Sequence, residues 1–226
     1  MDGVPEDLSD IAIINEASHA LLNAEVSAST DSVLVSHLTG TAQWLGDLGL
    51  SLLTLKQNCP GRSHKILIRS MLESVFYLGA VCLEPEAIWG VYCHQLRSER
   101  KLVAKTDLLT LKTLRDQQEQ LRSIFCSRFG HVPANDHPTS ARDAAKAANM
   151  EIMYDTFYRF YSAYSHGTLR AIAGRYDHIT SPADQWLAAM LLVNAVQHLR
   201  LQHLKIEFDD DRHLRALLLR QPAPPQ

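Results

Sequence analysis

The residues best suited to chemistry lie in one stretch, "YDTFYRFYSAYSHGTLRA", at 154–171. Arg159, Ser162 and His166 recur there at three- and four-residue spacing, which on a helix draws them toward one face. Arginine supplies permanent charge and a bidentate fork for phosphate or carboxylate, and histidine trades protons near neutral pH. Two turns of rise set Arg159 and His166 about 10 Å apart along the axis, so both reach one extended ligand, such as a phosphodiester, rather than each other. The same stripe also suits a different role, in which Arg159 pairs with a buried acid and His166 bonds a neighbouring helix, so that the group fixes helix register. Sequence leaves both roles open.

A second constellation lies in "ILIRSMLESVFYL", 66–78. Arg69 and Glu73 stand at i, i+4, flanked by Ile66, Phe76 and Ala80, while Leu67, Met71, Val75, Leu78 and Cys82 follow a separate apolar stripe. Arginine before glutamate is the less favourable order for an isolated helix pair, which points to further partners across a bundle. Glu73 is placed to hold Arg159 or to orient His166; the alternative is a register-fixing buried network.

Taken together, "IRSMLES" and the later "YRFYSAYSHGT" resemble a widespread bacterial helical family of unknown function with R-x-x-x-E and Y-R-x-x-S-x-x-x-H-G motifs. The likeness runs from Ile66 to Leu169. The spacing of Arg159 and His166 is also similar to the motif of HEPN domains, small helical bundles that include metal-independent ribonucleases. That resemblance implies an HEPN-like core with extra helices, a homodimer joining two motifs in one cleft, and an endoribonuclease or toxin-type effector of phage defence, with an antitoxin as a partner protein. It makes Arg159 and His166 catalytic, on the scissile phosphate and the ribose or leaving-group proton, with Arg69, Glu73, Tyr158 and Ser162 in support. Phe160 stands where active HEPN nucleases usually place a polar residue. Attack by a ribose 2′-hydroxyl needs a base, an acid and charge stabilisation, so one histidine per chain calls for a second copy. The competing function is a non-catalytic helical binding or scaffold module that uses the same cluster for packing.

RNA as a partner has one more feature in its favour. Residues 91–130 carry eight Lys or Arg against four Asp or Glu, and Arg97, Arg100, Lys101 and Lys105 are their nucleic-acid contact candidates. A mixed-sign helix without interleaved aromatics reads equally as a solvated face. The net charge of -3 excludes general coating of nucleic acid. Eleven histidines invite a metal, yet no HExxH motif is present, and neither His198 with His203 nor "FDDDRH" at 208–213 makes a ligand set; no metal and no cofactor is expected.

These residues must be positioned by helices. Apolar residues repeat at three and four spacing almost throughout, which predicts an all-α, single-domain multi-helix bundle over 1–220, with a disordered tail at 221–226. The expected helices are 6–28, 31–58, 62–83, 85–105, 107–129, 139–148, 150–173, 182–206 and 209–220. Asp31 and Asp209 read as helix caps, and "GHVPANDHPTS" at 130–140 as the one clear loop. Tyr154, Phe157, Tyr161 and Tyr164 form a packing face, with Tyr158 and Ser165 off it. Four cysteines without a CxxC pair predict reduced thiols and a cytoplasmic protein. The longest apolar run, 186–193, is too short for a bilayer, so no membrane partner is expected.

Overall fold

The computed structural model describes residues 8–26, 32–58, 63–103, 108–130, 138–165, 182–202 and 204–219. Its helices are α1 (Asp10–Leu22), α2 (Ser32–Asn58), α3 (Ser63–Leu83), α4 (Ala87–Val103), α5 (Leu108–Phe129) and α6 (Ala141–Ala147). Next comes α7, built from Glu151–Met153, a π-helical turn at Tyr154–Tyr158 and Arg159–Ser165, then α8 (Pro182–Leu201) and α9 (Asp210–Leu218). The all-α expectation is met, and the remaining regular structure among the described residues is one short antiparallel pairing of β1 (Glu25–Val26) with β2 (Leu204–Lys205).

That pairing corrects two expected helices, 6–28 and 182–206, which end at Leu22 and Leu201. Asn23 closes α1 with its N–H on the His19 and Leu21 carbonyls. After α8 the Arg200 guanidinium donates to the Ile206 carbonyl at 2.7 Å and to that of Phe208, so the following chain is held extended. Gln202 also turns back, donating to the Cys82 carbonyl at 2.7 Å and satisfying an orphan acceptor at the end of α3.

Capping explains where several helices start. Ser9, Ser140 and Asp209 each accept an N–H from the first turn of α1, α6 and α9. Pro85, expected inside the first turn of its helix, instead lies in the turn before α4. Asp31, most of the loop at 130–140 and the tail at 221–226 lie outside the described residues.

The core is centred on α3, which packs against α2, α4, α6, α7 and α8. Ile68, Met71, Leu72, Val75, Phe76 and Leu78 are all fully buried there. By length and apolarity α3 could cross a bilayer, but 56% of its apolar window is buried inside the fold, as in the central helix of a bundle. Close packing of α1 on α2 depends on glycine: a Cβ at Gly49 would stand 2.0 Å from Ser18 Oγ. Across the bundle, Trp186 Nε1 donates to the Leu217 carbonyl at 3.0 Å and fastens α9 to α8.

Candidate functional site

The π turn sets the geometry of α7. The Arg159 N–H bonds the Tyr154 carbonyl, one residue farther back than in an α-helix. Because a π turn rotates less per residue, Tyr158 comes to lie over Tyr154, with ring centroids 5.0 Å apart and planes 20° from parallel. Phe76 of α3 packs against both rings. Tyr158, expected off the packing face, is therefore buried, whereas Tyr154 and Phe157 are half-buried.

Four of the six motif residues meet where α7 crosses α3. Arg69 donates from Nε to Ser162 Oγ at 3.1 Å and from Nη2 to the Tyr158 hydroxyl at 3.0 Å. The Tyr158 hydroxyl donates to Glu73 Oε2 at 3.3 Å, and Arg69 Nη2 lies 3.5 Å from the same oxygen. Arg69 and Glu73 thus have the cross-bundle partners that their unfavourable order implied. Burial, then the Glu73 charge, raises the Tyr158 pKa against the opposing pull of Arg69, so the hydroxyl stays a donor.

Arg159 does not join this network. Its side chain is 70% exposed and pairs with Asp155 at 3.8 Å, while Ser162 turns inward to Arg69, so the expected common stripe of Arg159 and Ser162 is divided. Nor does Glu73 hold Arg159, because Tyr158 and Arg69 occupy its carboxylate. His166 and Lys105 lie outside the described residues. Arg97, Arg100 and Lys101 fall on α4, and the continuing basic residues Lys112, Arg115 and Arg122 are exposed on α5.

One turn toward the start of α3 is a second polar group that sequence reasoning missed. Asp184, in the first turn of α8, accepts a short hydrogen bond from the Tyr161 hydroxyl and lies 3.6 Å from Lys65 Nζ. His64 Nε2 stands 3.4 Å from the same carboxylate, an electrostatic contact without hydrogen-bond alignment. Lys65, His64 and Asp184 are each under 5% exposed. The Lys65 ammonium also faces the rings of Phe160, Tyr161 and Tyr164 at 5.1–5.8 Å. Phe160, the residue that follows the motif arginine, therefore forms part of a cage around a buried cation. The available signal was the i, i+4 spacing of Lys65 and Arg69, which puts both cations on the face that meets α7.

Residues 50–184 match the family of unknown function DUF5677. The chain belongs to that family. No curated protein and no solved structure matches it. The DUF5677 span reaches from α2 to the first turn of α8, so it takes in both polar groups and leaves α1, the β pairing and α9 outside. A cavity of about 840 Å³ lies with those outer elements, beside His213 and Glu16 paired at 2.8 Å. Among the described residues no three His, Cys, Asp or Glu side chains gather as metal ligands.

Proposed function

We propose that the chain is an HEPN-like, metal-independent endoribonuclease, a toxin-type effector of phage defence that acts as a homodimer. The observation that carries this reading is the exposed Arg159 guanidinium on a helix locked from behind by Arg69, Glu73, Tyr158 and Ser162. An exposed pair with Asp155 is a weak competitor for it, so a phosphate can take the fork. In the reaction the ribose 2′-hydroxyl bonds to phosphorus as the bond to the 5′-oxygen breaks, leaving a 2′,3′-cyclic phosphate. Arg159 stabilises the charge on the phosphoryl oxygens. His166 of one protomer takes the 2′-hydroxyl proton, and its counterpart in the second protomer protonates the departing oxygen.

The test is cleavage of single-stranded RNA in the presence of a chelator. Wild-type protein yields 2′,3′-cyclic ends, and Arg159→Ala and His166→Ala lose them without loss of melting temperature. A second reading, a non-catalytic scaffold or binding module, is favoured by the way the four supporting residues satisfy one another. It requires that no cleavage occurs, and that the motif variants lose stability alone.

A further inference from the structure

Between α2, α3 and α4 lies a cavity of about 360 Å³ that the polar networks do not use, within the range of ligand sites, roughly 300–1,000 Å³. His37, Gly40 and Trp44 enter it from one face of α2, Tyr77 from α3, and Tyr92 and Gln95 from α4. No Asp, Glu, Lys or Arg is among its described lining residues. The open lining offers a charged group no counter-ion, so its hydrogen-bonding and aromatic groups suit an uncharged one.

Its rim carries Trp44, 52% exposed, a large ring face left in water. Such a face stacks on a planar partner. The cavity also offers edge-reading groups. Gln95 donates from Nε2 to Glu99 Oε1 at 2.9 Å, which fixes its carboxamide and leaves the amide oxygen to accept. Burial pushes the His37 imidazole down to about 4, so it is neutral at pH 7 and adds no charge to the cavity wall. Burial and the nearby Glu73 keep the Tyr77 hydroxyl protonated.

Two features relate the cavity to RNA. Tyr77 stands one turn along α3 from Glu73, so the cavity adjoins the network behind Arg159. A neighbouring cavity of about 440 Å³ shares Tyr92 and Gln95 and continues between α4 and α5 past Gln117, Gln120 and the exposed Ile124. The two form a track along the locally basic pair of helices in which Glu99 is the one charged residue among the described lining. A base can enter such a track only when it is unpaired and splayed from its neighbours.

We propose that this cavity receives the base of an unpaired ribonucleotide, stacked on Trp44 and read at its edge by Gln95. Its chemistry rests on the cavity alone; RNA as the source of the base rests on the nuclease reading above.

The test is calorimetric titration of the full chain with adenosine, uridine, a short 2′-O-methyl single strand that cannot be cleaved, and that strand annealed to its complement. Nucleosides and single strand should bind and the duplex should not. Trp44→Ala should weaken binding about tenfold or more. Gly40→Leu should do the same by filling the cavity, with an unchanged or raised melting temperature, because a Cβ at Gly40 meets nothing within 4 Å. Failure of wild-type protein to bind either nucleoside or strand overturns the proposal, as does unchanged affinity in both folded variants. Binding of nucleosides without the strand overturns RNA as the source and assigns the pocket to a free nucleoside. Strand binding that both variants lose, in a protein that cleaves no RNA, supports the pocket and ends the nuclease reading.

Discussion

Arg69 spans the crossing of α3 and α7 by donating to Ser162 Oγ at 3.1 Å, with the Tyr158 hydroxyl 3.0 Å from its other arm. The side chains of Arg69 and Glu73 are 23% and 33% exposed, so water screens the charges and the hydrogen bonds carry most of the effect. Tyr158→Phe deletes the hydroxyl shared by Arg69 and Glu73 and should cost about 1 kcal/mol. In a chain of this size that lowers the melting temperature by about 2–4 °C. A double-mutant cycle with Arg69→Met should show coupling of at least about 0.5 kcal/mol. Additive losses would mean the hydroxyl and guanidinium act separately.

Arg159 should behave in the opposite way. With a 70% exposed side chain and one exposed partner, Arg159→Ala should leave the urea midpoint nearly unchanged, within about 0.5 kcal/mol. RNA cleavage should fall by about a hundredfold or more, because one charge-stabilising donor is gone. Arg159→Lys should recover only part of it, since an ammonium lacks the bidentate fork. A large stability loss with no change in cleavage would place Arg159 among the packing residues.

The helices were legible because each α segment buries a stripe of the right period, and Arg69 with Glu73 announced partners across the bundle through their unfavourable order. The ends of α1 and α8 were not legible, because the competing structure is a pairing between residues 25–26 and 204–205, which no local window contains. The π turn was hidden for a related reason. A helical reading assigns Tyr158 by α periodicity, and only the packing of Tyr154 and Tyr158 against Phe76 shows the slower rotation. Lys65 and Asp184 escaped because each reads as a surface charge near a helix start; their burial depends on three elements meeting.

That buried pair gives a stability prediction of its own. Asp184→Ala removes the carboxylate that faces Lys65, His64 and Tyr161 and takes that counter-charge from an ammonium under 5% exposed. The expected cost is about 3–5 kcal/mol. Replacing both partners, as Asp184→Leu with Lys65→Met, should recover a large part of that loss, because the remaining Phe160, Tyr161 and Tyr164 rings pack well against an apolar chain. Denaturant unfolding of the single and double variants decides it: a double variant as unstable as the sum of the singles would show that Asp184 and Lys65 act separately.

Acid should weaken the fold through imidazoles as well as carboxylates. Burial lowers the His37 pKa from 6.5 to about 4, and it lowers that of His198, whose two ring nitrogens are buried without hydrogen-bond partners among the described residues. Below 6.5 the unfolded chain binds protons that these folded sites refuse. Their contribution is therefore complete above 6.5, falls as pH drops toward 4, and is flat for His37 below that. For His37 the full loss is about 3 kcal/mol. Urea midpoints measured across this window should decline in wild-type protein, and His37→Gln should decline less steeply, since a carboxamide takes up no proton. Parallel curves for the two proteins would show that the His37 ring is reached by water and titrates as it does in the unfolded chain.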